Sequence, residues 1–198
     1  MMALDLLVGS GGVLSHAPRR SQAAMLLLDG FYPEGVTKLA VDSIFMMPQL
    51  GVLASLHARA ALEVFHADCL IHLGASVAPS GEGKPGKEFC RFEFVFPGGK
   101  KEDVVLNFGE IKLLGLGEKE SAEMTARPQR SADVGSGPGR EHRASVSGGV
   151  VGLILDGRGR LKDDKGRARL PSLPSADAGR RTKLAEWVSA MKMYPRSV

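Results

Sequence analysis

The stretch LLVGSGGVLSHAPRRSQAAMLLLDG, Leu6 to Gly30, constrains the fold of this chain more than any other. An apolar run breaks into Ser and Gly, meets a Pro, and resumes with apolar residues at helical spacing. Leu4–Val8 reads as a buried strand and Gly9–Ala17 as a loop. Pro18 fits the first turn of a helix, where its missing N–H loses nothing. Arg19–Leu28 is then helical, with Ala23, Ala24, Leu27 and Leu28 on one face, and Gly30 serves as its C-cap. A second strand at Leu39–Val41 and a helix from Pro48 to about Phe65, with Leu50, Leu53, Ala54 and Ala61 apolar, complete a β-α-β-α unit over residues 1–66.

The pattern changes near Asp68. Cys69–Val77 reads as a strand and Ala78–Lys87 as a turn-rich loop. Phe89–Phe96 (FCRFEFVF) alternates, placing Phe92, Phe94 and Phe96 on one face and Arg91, Glu93 and Val95 on the other. Pro97-Gly98-Gly99 turns the chain. Val104–Phe108, Glu110–Leu114, Ser121–Ala126, Ala144–Ser147 and Val150–Leu155 follow as strands at short spacing, which predicts a small β barrel or sandwich over 67–174. Arg158–Pro174 reads as a basic loop. Residues 175–198 hold a closing helix, Asp177–Tyr194, with Leu184, Trp187, Val188 and Met191 as its packing stripe.

The 198 residues allow one or two domains, and 43% hydrophobic with 24% charged residues suits a globular chain. The two cysteines, Cys69 and Cys90, sit in no zinc spacing. The N-terminus carries Asp5 inside its apolar run and lacks a basic leader, and no apolar stretch reaches the roughly 20 residues of a membrane span. A soluble, cytoplasmic protein with no membrane partner is expected. Residues 1–126 carry 11 Lys/Arg against 15 Asp/Glu, and residues 127–198 carry 15 against 7. The basic end suits an acidic partner; with aromatics at 6% and few among those cations, base-stacking platforms are missing and nucleic-acid binding is disfavoured.

A strand, a glycine loop and a helix together make an anion or nucleotide cradle, because glycine lets the main chain approach a ligand closely. The dinucleotide fingerprint fails here, since Leu14 stands where its third Gly belongs, and there is no GK[ST] phosphate loop. Leu6–Pro18 resembles the adenosine-binding segment of the actin, Hsp70 and sugar-kinase superfamily. More narrowly, VGSGGVLSHAP, LLLDGFYPEGVTKLAVD and VGLILDGRGR resemble the C-terminal part of the glutamate mutase MutL family, which is unrelated to the mismatch-repair protein of the same name.

That resemblance implies a ribonuclease-H-like α/β fragment, so that the whole chain is α+β: the fragment, then a small β-rich domain, then the C-terminal helix. It implies an accessory, reactivating ATPase of adenosylcobalamin-dependent mutases and aminomutases. ATP or ADP would meet Gly9, Ser10, Gly11, Gly12 and Ser15 as a partial site, with no cobalamin bound directly and no catalytic residue in this piece. The phosphate-binding loop expected upstream is absent, so the chain reads as the C-terminal piece of a longer or split protein, with a mutase and an upstream ATPase half as partners. The alternative is a non-enzymatic protein-binding β module whose glycine loop is purely structural.

Other constellations carry less. His66, Asp68, Cys69 and His72 form a metal-like cluster, but a tetrahedral site needs three or four convergent ligands, and separate packing roles are the preferred reading. Asp133–Arg140 (DVGSGPGR) is a second glycine loop on which phosphate could sit with Arg140 above; a plain β-loop is preferred, because a strand follows it. Asp156-Gly-Arg-Gly-Arg160, with Lys162, Lys165, Arg167 and Arg169, reads as a solvated basic loop, with a sharper alternative as a contact for an acidic mutase surface or a phosphate. Asp163-Asp164 reads as solvated, and Ser15-His16, being adjacent, form no catalytic pair.

Overall fold

The computed structural model describes residues 2–162, 165–166 and 168–194. Asp163, Asp164 and Arg167, read above, lie outside them. The central sheet begins with β1 (Met2–Ala3) and β2 (Leu6–Gly9), both parallel to β3 (Pro33–Asp42). Between these strands lie the single turn α1 (Gly12–Ser15) and the helix α2 (Arg20–Phe31). After β3 come α3 (Met47–Val64), a π-turn at Phe65–Cys69, and β4 (Leu70–Ala78), antiparallel to β3.

Beyond β5 (Ser80–Gly81), the hairpin β6 (Glu88–Val95) and β7 (Lys101–Asn107) leads to β8 (Ile111–Leu114) and β9 (Ser121–Pro128). Then follow β10 (Ala132–Asp133), β11 (His142–Ser147), β12 (Leu153–Asp156), the pair β13 (Leu161–Lys162) and β14 (Ala168–Arg169), and α4 (Asp177–Ala190). The central sheet runs β1/β2-β3-β4-β12-β8, and an antiparallel sheet runs β11-β9-β6-β7.

The expected barrel does not close. β4, β8 and β12, which local spacing groups with the other β strands, join the sheet begun by β2 and β3 instead. The reason is burial. β4 is buried continuously from Leu73 to Ala78, so it needs cover on both faces. One face, through Ala75 and Val77, packs with Leu153 and Leu155 of β12 against Phe92, Phe94, Leu106 and Met124 of the antiparallel sheet. The opposite face, through Leu39, Val41, Leu73 and Ile154, lies under Ala23, Ala24, Leu27 and Leu28 of α2, Trp187 of α4 and Met191 just after it. The layers are therefore helices, mixed sheet and antiparallel sheet. Strands on either side of residue 66 share one sheet, since β3 and β4 pair from Gly35–Ala78 to Asp42–Leu70.

Smaller expectations shift. Helix α2 starts at Arg20, leaving Pro18 outside it, and runs through Gly30 to Phe31. Gly30 is not the C-cap: Tyr32 takes the left-handed conformation (φ 46°), and its N–H donates to the Leu28 carbonyl at 3.1 Å. Pro33 follows, and a residue before proline is a poor continuation of a right-handed helix. The α4 stripe is half realised: Trp187 and Met191 are buried, while Leu184 is exposed.

Candidate functional site

The glycine loop emerges at the C-terminal end of β2, beside the C-terminal end of β3. Its glycines do different things. Gly9 is buried, and a Cβ there would lie 2.6 Å from a Leu14 methyl and 2.9 Å from a Leu27 methyl, so both side chains would have to shift to admit one. Gly11 has φ 115°, a conformation that L side chains avoid. Gly12 has neither constraint. It lies in α1, is exposed, and an added Cβ would meet nothing within 4 Å. Val13 beside it is 77% exposed. The outer surface of the bend is therefore open backbone.

Asp42, which the sequence reading passed over, holds the bend in place. It is buried at the end of β3. Its carboxylate accepts from the Ser10 hydroxyl at 3.1 Å and from the Met46 and Met47 N–H groups at 3.0 and 2.9 Å. Its carbonyl accepts from the Ser15 hydroxyl at 2.6 Å. One residue thus ties both serines of the loop to the N-terminus of α3: its carboxylate holds Ser10 and the helix end, where free N–H groups favour an anion, and its carbonyl holds Ser15. Burial pushes the Asp42 carboxyl up; the hydrogen bonds from Met47, Met46 and Ser10 outweigh it and hold the group below the ordinary carboxylate range.

A group held low stabilises the fold above its unfolded value and loses that contribution as pH falls through its native value. Asp42→Ala is expected to lower stability by about 1–2 kcal/mol at neutral pH, the usual range for a lost helix-cap acceptor. The gap to wild type should narrow on acidification below the ordinary carboxylate range. Urea denaturation at pH 7 and pH 3 checks this, and an equal gap at both would show that the carboxylate charge is not what matters.

The other constellations separate. His66 and Asp68 are exposed on the π-turn, His72 is exposed on β4, and Cys69 is buried with its thiol pushed up by burial. Among the described residues, no group of three or more His, Cys, Asp and Glu is placed to hold a metal ion. In the second glycine loop, Asp133 accepts from the Gly135 and Gly137 N–H groups at 2.7 and 2.9 Å, so those donors face their own carboxylate. Ser136 and His142 form a 2.9 Å hydrogen bond on the exposed surface.

The reading of Asp156–Arg160 as a solvated loop is overturned. Asp156, Arg158 and Arg160 are fully buried. Arg158 grips Asp156 through Nε at 2.8 Å and Nη2 at 2.7 Å, while Arg160 donates to the same carboxylate at 2.5 Å. Arg158 also reaches Asp29 at the end of α2, 2.5 Å away, and its guanidinium stacks over the Trp187 ring at 5.1 Å. Two guanidiniums committed to one carboxylate are not offered to a phosphate or an acidic surface. This cluster fastens α2, β12 and α4 together.

No helix among the described residues is long and apolar enough to cross a membrane. No curated protein and no solved structure matches the chain significantly. The model of the MutL protein family matches residues 1–69, which contain the glycine loop, Asp42 and α3 and end before VGLILDGRGR. Over that segment the chain is similar to the MutL protein family.

Proposed function

We propose that this chain is a C-terminal portion of a mutase-associated, chaperone-like ATPase that reactivates an adenosylcobalamin-dependent glutamate mutase or aminomutase, its glycine loop forming the adenosine side of the nucleotide cleft. The family match supports the mutase association. Parallel β2 and β3, with α2 crossing between them, support the ribonuclease-H-like reading of this part. An upstream ATPase half supplies the groups that hold the phosphates and Mg²⁺, and the antiparallel sheet offers its outer face to the mutase. The chain alone is not expected to hydrolyse ATP.

Gly12 carries this reading. The fold explains glycine at positions 9 and 11 and does not require it at 12. A glycine on open, exposed backbone is what close approach by a flat, apolar purine and its ribose calls for. Ser10 and Ser15 are positioned by Asp42, so the bend is set before a ligand arrives.

Calorimetric titration with ADP and ATP tests this. Gly12→Val should weaken nucleotide binding at least tenfold while leaving the thermal midpoint within about 2 °C of wild type, because the new side chain meets no neighbour. Equal affinity in the variant, or no binding by wild type at millimolar nucleotide, defeats the cradle. The second reading, a protein-binding module with a structural loop, draws on the packing of Gly9 and the φ of Gly11, and predicts no nucleotide-dependent heat at all.

A further inference from the structure

Strand β8 is an unguarded edge: it ends the central sheet, and among the described residues no strand pairs with its outer side. The Gly157 N–H donates to the Glu110 carbonyl at 2.8 Å, and the register with β12 runs on from Ile111–Asp156 to Leu114–Leu153. Backbone groups alternate sides along a strand, so Lys112 and Leu114 bond to β12 while the N–H and carbonyl of Ile111 and Leu113 point outward. Among the described residues, neither has a hydrogen-bond partner on that outer side. Charged residues normally keep foreign strands off an edge. The edges of the antiparallel sheet carry them, β7 opening with Lys101-Glu102-Asp103 and β11 with His142-Arg143. β8 reads Ile-Lys-Leu-Leu, and its Lys112 is drawn to Glu110 at 3.5 Å.

A cleft of about 430 Å³ opens on one face of this edge. Leu113, Val151 and Met191 supply apolar lining, Arg19, Arg20 and Lys192 supply charge, and no carboxylate lies among the lining residues. Arg19 donates to the Lys192 carbonyl and Arg20 to the Ser15 carbonyl, both at 3.0 Å, so neutral acceptors hold both guanidiniums in place and leave their charge uncompensated. On the other face of the strand, Leu114 lines a second cleft with Phe96 and Pro97.

We infer that β8 is the docking edge for an extended, acidic segment of a partner protein, which joins the central sheet as a further strand and sets acidic side chains among Arg19, Arg20 and Lys192. Edge and cleft meet at Leu113, whose backbone faces outward and whose side chain lines the cleft. Successive side chains of an added strand point to opposite faces, so every second one enters the basic cleft and the others lie along Leu114, Phe96 and Pro97. Main-chain bonds then give affinity, and the clefts give selectivity. Charge excludes a second copy of this chain: β8 paired two-fold with itself would bring a second set of the same three cations to the same face. The upstream half proposed above meets the glycine loop after β2, and β3, β4 and β12 stand between β2 and β8; this exclusion alone rests on the nucleotide reading.

Calorimetric titration of the full chain with a short synthetic peptide alternating Glu and Val tests this, beside a Lys-Val counterpart. The Glu-Val peptide should bind, more weakly as salt rises, and the Lys-Val peptide should not. Arg19→Glu with Arg20→Glu should weaken binding about tenfold or more; acidic residues suit the start of a helix, so the variant keeps α2. Methylating alternate backbone nitrogens of the peptide should abolish binding for the set that faces β8 and spare it for the other. Amide exchange at Ile111 and Leu113 should slow when the peptide binds. Equal binding of the Glu-Val and Lys-Val peptides, equal binding of the two methylated sets, unchanged exchange at Ile111 and Leu113, or no binding at millimolar peptide overturns the inference. So does displacement of the peptide by ADP, which would make the cleft a phosphate site, or by the upstream half, which would make the edge that half's own contact.

Discussion

Asp156→Ala is expected to remove about 3–5 kcal/mol of stability, the range for breaking a buried ion pair from one side, a large share of the roughly 5–15 kcal/mol that holds a domain folded. Wild type has one buried carboxylate facing two buried guanidiniums, with Asp29 half-exposed at the edge. Without Asp156, among the described residues Arg160 keeps hydrogen bonds to the Pro33 and Gly159 carbonyls at 3.3 and 2.8 Å, and Arg158 keeps Asp29 as its carboxylate. An unmatched cation cannot escape by losing its proton, because Arg stays charged. Burial pushes the Asp156 carboxyl up; the guanidiniums of Arg158 and Arg160 outweigh it and hold the group well below the ordinary range.

The pH dependence follows from the sign of that shift. Stability from Asp156 is complete above the ordinary carboxylate range and drains away as pH falls below it toward the native value. Urea unfolding should show wild type losing stability on acidification below about pH 4, where unfolded Asp begins to protonate, with a shallower loss in Asp156→Asn. A cost for Asp156→Ala below about 1 kcal/mol, the size of an exposed pair, would mean that the cluster is hydrated in solution. Adding Arg158→Met to Asp156→Ala should recover part of the loss, because one buried charge then disappears with its partner.

What could be read from the sequence, and what could not, divides along physical lines. The alternation in β6 placed Phe92 and Phe94 in the core, and helical spacing placed Ala23, Ala24, Leu27 and Leu28 against the sheet. Both are local periodicities. Sheet membership is not local. Leu153–Asp156 looks like any short strand, and nothing nearby says that it pairs with β4 rather than with β11. Charge is similarly mute about burial: DGRGR counts as two cations and one anion wherever it sits. The available signal was its position straight after the apolar run Leu153–Leu155, with a carboxylate two and four residues before the arginines. Asp42 also had a signal, an acid ending a strand a few residues before Pro48 opens a helix. The roles of Gly9, Gly11 and Gly12 needed the neighbours that only folding brings to them.

Trp187→Ala is expected to cost about 3–5 kcal/mol, the usual loss for a large buried aromatic, and to detach α4. The C-terminal end of this helix is also fastened where Arg19 and Gln22 donate to the Lys192 and Met193 carbonyls at 3.0 and 3.1 Å. Leu184 is exposed, and Val188 is only partly buried, leaving Trp187 and Met191 as the buried anchors of the described part. The indole N–H donates to the Gly109 carbonyl at 2.8 Å, and the ring faces the Arg158 guanidinium. Amide exchange across Asp177–Ala190 should rise toward free-chain rates in the variant while the β6–β9 amides stay protected. Uniform loss of protection would show instead that α4 unfolds only with the whole chain. Trp187→Phe keeps a ring over Arg158 and drops the donor, so it should cost about 1–3 kcal/mol, the penalty of one unsatisfied buried carbonyl. Because Arg158 touches both Asp156 and Trp187, Asp156→Ala and Trp187→Ala together should destabilise by at least ~0.5 kcal/mol less than their sum. Strict additivity would place the helix anchor and the ion cluster in separate cooperative units, and the clasp joining α2, β12 and α4 would then be two unconnected contacts.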